Sequence, residues 1–431
     1  MVENRIRKGY AVDIEDITVL VPAGPRLDKD TGMPEVSARR RTLFNSALAR
    51  RARDAGIKLG VELKAPGKFP EDFNPNELDM PFAAHLGNWD LTRLFRAERD
   101  GDTETQDEIR KLIKRIAEWN PLYLLCHGAE LDAYNPLDES RFECRASPED
   151  WLELAQWHIP VMEEMVGRDL NACLETLYLS QYVGPYGPYK EAGIDAWLAM
   201  TTMIPRVGHW QDILSVIGEV LGTGMVVDLE HLAATIRFLQ GNSLELRELG
   251  LSEDAFARRE ETPKAFLDTF GFAAELGRIP RAVEDMDIWS FLRKAAPKVR
   301  AWHVDAIGLP EDGEQVLQLN EDELGLAPAL AYYEHVREIL GDNSYARERA
   351  DKQRPTSHAP VEDTRELRET IRFILALHEE TGNPVVFVLE PMAQGEAPPK
   401  QDVNHWSRPD AIEYSLEKFL AALLEVLEET P

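Results

Sequence analysis

Cysteine is scarce in this chain, with three residues in 431. That is too few for a disulfide framework at this length, and the spacing of Cys126, Cys144 and Cys173 fits no zinc motif. Cys126 and Cys173 lie inside apolar runs, where a free thiol behaves as a small hydrophobe. Long hydrophobic runs are missing as well. No segment approaches the roughly 18 uncharged apolar residues of a membrane span, so no span is expected. The opening MVENRIRKGYAVDIEDITVL is charged and shows no signal-peptide core. These absences together lead us to expect a reduced, soluble, cytoplasmic protein. Positive charge is also in short supply: 48 Lys and Arg stand against 77 Asp and Glu, a formal net charge of −29. A field of that sign repels phosphate backbones and disfavours nucleic acid as a partner. Nor does a glycine-rich phosphate-binding turn follow the first apolar run, which argues against a doubly wound dinucleotide fold.

What the chain does have is a rhythm. Hydrophobic residues make up 44% and charged residues 29%, enough to bury a full core. Eight short apolar runs recur: ITVLVP, IKLGVEL, MPFAAHLG, PLYLLCHG, NACLET, GMVVDLEH, VRAWHVDA and PVVFVLEP. Each is bounded by Gly, Pro or polar residues, as buried parallel strands are. Between them the spacing predicts helices, most clearly over Val36–Ala55, Leu91–Trp119, Pro148–Val166, Ile194–Leu221, Thr364–Glu380 and Ala411–Glu428. Ser147 and Pro148, followed by two acids, form a strong start signal for the third of these.

Eight strands alternating with helices predict a (β/α)8 barrel, a single domain over residues 1–431. Two links are long, about 232–298 after the sixth strand and about 307–383 after the seventh, and insertions at that face usually shape or cover a site. The link KAPGKFPEDFNPNELD has too many prolines for a full helix.

The last six strands each end in a side chain able to hold a metal: His85, His127, Glu175, Asp228 followed by His231, His303 and Glu390. In a parallel barrel all strand C-termini open on one face, so these residues converge there. Any one of them alone is ordinary, for a lone histidine beside an apolar run is usually a satisfied core residue. The set is different, because burying that many ionisable groups without a cation is very costly.

The motifs CLET, VVDLEH, WHVDA and VLEP, in this order and at strand ends, resemble the xylose isomerase-like TIM barrels, the superfamily of sugar isomerases, epimerases and endonuclease IV. The likeness runs from about Ile17 to Met392; in WHVDA the acid, Asp305, comes one residue early. The resemblance implies that Glu175, Asp228, His303 and Glu390 bind a divalent ion (Mn, Mg, Co or Zn), and that His231 contacts substrate or a further metal.

Two activities follow from that likeness. As a sugar or sugar-phosphate isomerase or epimerase, the protein would use Glu175 and Glu390 to remove and return a proton through an enediolate. His231, His85, His127, Trp89 and Trp302 would then face a small carbohydrate substrate. Ordinary packing is an equal reading for the aromatics, which also include Tyr178, Tyr182 and Tyr186. As a multi-metal phosphodiester hydrolase of the endonuclease IV kind, it would instead use His85 and His127 as ligands of additional ions. Against this, no Asp-x-His pair follows His303, so a three-zinc cluster is incomplete, and the net charge opposes a DNA substrate. A lyase or dehydratase of the same superfamily would begin from the same proton abstraction, and a barrel that only binds a ligand is a third class. The sequence favours the isomerase or epimerase. Ion count separates the readings: one ion on the four principal residues for isomerisation, further ions including His85 and His127 for hydrolysis. Lys64 and Arg93 are the basic candidates for a phosphate near the strand ends. The sequence leaves a homo-oligomer open.

Overall fold

The computed structural model describes residues 13–25, 43, 45–87, 90–129, 148–176, 218–229, 292–293, 295–304, 361, 363, 365–390 and 409–429. Eight strands close into a barrel in sequence order: β1 (Ile17–Ala23), β2 (Lys58–Lys64), β3 (Phe82–His85), β4 (Leu124–Cys126), β5 (Ala172–Glu175), β6 (Gly224–Asp228), β7 (Val299–Val304) and β8 (Val385–Leu389). All neighbouring pairs are parallel, and β8 closes the ring against β1. All eight apolar runs are therefore strands of a (β/α)8 barrel. The long links are real as well: β6 ends at Asp228 and β7 begins at Val299, while β7 ends at Val304 and β8 begins at Val385.

Outside the barrel pack α1 (Ala47–Asp54), α2 (Asp90–Asp100), α3 (Thr103–Trp119), α4 (Pro148–Val166), α5 (Arg365–Thr381) and α6 (Pro409–Glu429). The helix expected over Leu91–Trp119 is two helices. Gly101, at φ +74°, ends the first, and Asp102 caps the second by accepting from the Thr105 N–H. The proline-rich link between β2 and β3 forms only two short 3-10 turns, Pro66–Lys68 and Pro75–Leu78. Much of the segments expected at Val36–Ala55 and Ile194–Leu221 lies outside the described residues.

Alternation along the strands divides the core in two. One set, including Val19, Val61, Leu174, Val227, Trp302 and Phe387, fills the layer between barrel and helices. The other set, including Leu20, Ala83, Tyr123, Leu125, Cys173, Val226, Ala301 and Val388, forms an apolar floor inside the barrel. The floor is tight. A Cβ added at Gly60 would sit 1.9 Å from the Pro81 carbonyl oxygen, and one at Gly224 would sit 2.5 Å from Cγ of Arg300.

β7 carries one extra residue against β6: Met225 pairs with Val299, but Val226 pairs with Ala301. The extra residue is Arg300. Val299 packs outward and Ala301 inward, so the shift reverses the alternation and turns His303 into the barrel. Cys126 and Cys173 are buried free thiols, and burial pushes the Cys173 thiol up to about 12 despite nearby Arg300. They are packing groups, as expected; Cys144 lies outside the described residues.

Candidate metal centre

Above the apolar floor the barrel lining becomes ionisable. Glu62, Lys64, His85, His127, Glu175, Asp228, His303 and Glu390 come from strands of the barrel and the residues just beyond them, and each is at most 6% exposed. The period of two places Glu62 and Lys64 on the inward face of β2, while the outward Leu63 packs toward the helices. Asp228 is fixed at the end of β6 by Thr176, whose hydroxyl accepts from the Asp228 N–H at 2.8 Å and donates to its carbonyl at 3.3 Å.

His303 stands at the centre. Its Nδ1 lies 3.2 Å from Glu175 Oε1, 3.3 Å from Glu390 Oε1 and 3.7 Å from Asp228 Oδ2. Its Nε2 lies 3.4 Å from Glu62 Oε2. His127 Nε2 lies 2.8 Å from Glu175 Oε2, with His85 Nε2 at 3.8 Å from the same oxygen. The other face of His85 turns toward Glu62: Nδ1 is 3.5 Å from Oε1. Lys64 Nζ contacts Glu390 Oε1 and His85 Nδ1, and lies 3.2 Å from Glu62 Oε1. Tyr123 donates to Glu62 Oε2 at 3.4 Å.

Three sets of ligand atoms in this cluster each lie within 4.8 Å of one another: Glu175 with Asp228, His303 and Glu390; His85 with His127 and Glu175; and Glu62 with His85 and Glu390. The four residues expected to hold one ion are therefore together, and His85 and His127 join Glu175 in a second set.

The electrostatics fit a cation. Burial alone raises a carboxyl pKa, yet Glu62 is held well below the carboxylate range by Lys64 and His303, and Glu175 by His127 and His303. Burial opposes charge on His303, but Glu62 and Glu175 raise its pKa well above the imidazole range. Glu62 and Glu175 thus favour positive charge at His303, a demand that a cation among these acids would also meet. Buried imidazole nitrogens point the same way. His85 Nε2, His127 Nδ1 and both ring nitrogens of His303 have no hydrogen-bond partner among the described residues, a costly state unless an ion takes up ligand nitrogens. Burial and Lys64 lower the His85 pKa to about 3, leaving that ring neutral.

Other expected site residues are placed differently. Trp302 faces outward, fully buried in the helix layer, and donates its indole N–H to His378 Nε2 at 2.9 Å. It cannot touch a substrate in the barrel, because a strand sends neighbours to opposite faces and His303 takes the inward one. Arg93 is a surface residue beside Glu108 at 3.0 Å, away from the cluster. Trp89, Tyr178, Tyr182, Tyr186, His231 and Asp305 lie outside the described residues. Glu62 escaped the sequence reading, and Lys64 entered it only as a phosphate contact. The signal was there in Gly60, Glu62 and Lys64, alternating with Leu59, Val61 and Leu63.

No family model matches the chain, and no curated protein does. Among solved structures it is similar to an L-ribulose 3-epimerase, at 10% identity and TM-score 0.40, covering 94% of this chain and 95% of that one. A D-psicose 3-epimerase crystallised in the presence of D-fructose matches at 9% identity and TM-score 0.40, covering 96% and 99%. Endonuclease IV from Thermus thermophilus matches at 11% identity and TM-score 0.35, covering 94% and 99%.

Proposed function

We propose that this chain is a divalent-metal hydrolase of a small phosphoester, such as a sugar phosphate, with two ions sharing Glu175. The observation that carries the reading is the position of Glu175. One of its oxygens faces His303, and the other faces His127 and His85. One carboxylate so placed joins the His85, His127 and Glu175 set to the Glu175, Asp228, His303 and Glu390 set. Ions held by His85, His127 and Glu175 and by Glu175, Asp228, His303 and Glu390 would supply Lewis acidity to a phosphoryl oxygen and lower the pKa of water.

The chain's own residues set the rest. Glu62 faces the rear nitrogens of His85 and His303 at 3.5 and 3.4 Å, where accepting a hydrogen from each would orient both rings. Charge favours an anionic substrate. Lys64 and two divalent ions outweigh the buried carboxylates of Glu62, Glu175, Asp228 and Glu390 by one charge, whereas a single ion leaves one negative charge over. The net charge of −29 directs the choice toward a small phosphoester and away from DNA.

The isomerase or epimerase remains the second reading, supported by a different observation. Glu175 and Glu390 reach His303 Nδ1 from separate strands at 3.2 and 3.3 Å, as a pair of carboxylates flanking one substrate carbon would. In that reading a single ion suffices, the substrate is a neutral sugar, and Lys64 stabilises negative charge developing near Glu390.

Loading the purified protein with Mn or Zn and screening sugar phosphates and small phosphodiesters decides between them. Phosphate release from the monoesters, or cleavage of a diester to monoester and alcohol, that disappears in His127→Ala supports hydrolysis. Solvent deuterium entering a sugar C–H bond, with no phosphate released and His127→Ala still active, overturns it in favour of isomerisation.

A further inference from the structure

We infer that Lys64 is a built-in competitor of the second ion, so that the two metal positions load unequally. The inference rests on the two-ion reading and concerns how the His85, His127 and Glu175 position is filled.

An imidazole has one lone pair to give when neutral. To bind an ion shared with His127 and Glu175, His85 must use Nε2, the nitrogen on their side. Nδ1 must then carry the hydrogen and donate, and Glu62 Oε1 stands ready as acceptor at 3.5 Å. Lys64 demands the opposite. An ammonium has donors and no acceptor, and Nζ contacts that same Nδ1. While the contact lasts, Nδ1 holds the lone pair and Nε2 holds the hydrogen, which points toward Glu175 and cannot ligate. The two states of His85 exclude each other.

Lys64 is not there by chance. Glu62, His85 and Glu390 themselves form a cation niche, and the ammonium sits against all three, matching its three donors to their acceptor atoms. It also places a like charge beside the incoming ion. The position built from Glu175, Asp228, His303 and Glu390 does not use His85, so the tautomer conflict does not arise there. That position loads first. The second loads only once Lys64 leaves Nδ1, which Lys64 can do by turning to Glu390, to Glu62 or to an anionic substrate. A substrate anion that draws Lys64 away would therefore tighten the second ion.

Calorimetric titration of the metal-free full chain with Mn alone tests this, comparing wild type with Lys64→Met and Lys64→Arg. We expect two ions in wild type, one tight and one weak. In Lys64→Met both ions tighten, because Lys64 also contacts Glu390 of the first position, but the weak one tightens at least tenfold and by clearly more than the tight one; in Lys64→Arg, a donor-only cation, it stays weak. An unchanged or weaker second ion in Lys64→Met overturns the inference while leaving the two-ion reading intact. A single ion in wild type overturns the two-ion reading instead. Should Lys64→Met fail to fold, imidazole 15N spectra of wild type decide: His85 is protonated on Nε2 when metal-free and on Nδ1 when fully loaded, and one tautomer throughout refutes the competition.

Discussion

Oε2 of Glu175 lies 2.8 Å from His127 Nε2, while Oε1 of the same carboxylate lies 3.2 Å from His303 Nδ1. One side chain thus faces two candidate metal positions. Glu175→Gln is expected to weaken both ions, because a neutral amide is a poorer bridge. His127→Ala is expected to remove one and leave the Asp228, His303 and Glu390 position filled. Elemental analysis of the dialysed variants checks this, and equal losses in both would contradict it.

Glu62 is expected to matter without touching either ion. It faces His85 Nδ1 and His303 Nε2, and an outer carboxylate of this kind typically contributes about 10- to 100-fold in metal affinity. Glu62→Gln should weaken both positions by amounts in that range, while Tyr123→Phe, which removes only one donor to Glu62, should change affinity far less. Chelator competition measures both.

Metal binding should be coupled to pH. The His303 pKa is raised above the imidazole range by Glu62 and Glu175, so below that raised pKa a proton occupies a nitrogen the ion requires. Affinity is expected to increase as pH rises through that raised pKa and to fall as pH drops below it, with protons released on binding. Titration in buffers of different ionisation enthalpy detects the release.

Stability should depend on pH through two other histidines. His158 accepts from the Ala129 N–H at 2.8 Å and contacts the Leu154 carbonyl through Nδ1 at 2.7 Å. His378 likewise accepts from Trp302 and reaches the Asn383 carbonyl. Burial lowers both to about 4. The unfolded chain therefore binds more protons between the ordinary imidazole value and about 4. Their contribution is complete above about 6.5 and is lost as pH falls through about 4, on the order of 3 kcal/mol for each. Denaturant unfolding from pH 7 to pH 4.5 should show the decline, reduced in His158→Gln.

Gly60→Ala should disrupt the barrel. The new methyl would meet the Pro81 carbonyl at 1.9 Å, and that oxygen already accepts from the Val61 N–H. The loss should reach or exceed the roughly 1–3 kcal/mol of ordinary overpacking. Gly218→Ala, with nothing within 4 Å, should be nearly neutral in the same thermal melts.

Much of this was legible in the sequence, for a physical reason. Parallel strands buried on both faces must be short apolar runs, so all eight could be seen, and an acid or histidine closing such a run stands out. Glu175, Asp228, His303 and Glu390, whose ligand atoms the barrel brings together, stand out that way. Glu62 was missed because it lies inside a run, two residues before the strand end at Lys64, where an acid stands out less than one that closes a run. Trp302 takes the packing alternative, because being next to His303 in sequence means being opposite to it on a strand. The break between α2 and α3 was marked by Gly101 and Asp102, a stop followed by a cap. The extra residue on β7 leaves no such mark: Arg300 looks like any polar strand residue until its partners on β6 are known.

The most direct test of a shared two-ion centre is anomalous diffraction from crystals grown with Mn or Zn. The account calls for two peaks on either side of the Glu175 carboxylate, about 3.5–4 Å apart as in two-metal enzymes. A single peak among Glu175, Asp228, His303 and Glu390, with His85 and His127 paired only to protein groups at full loading, would contradict it.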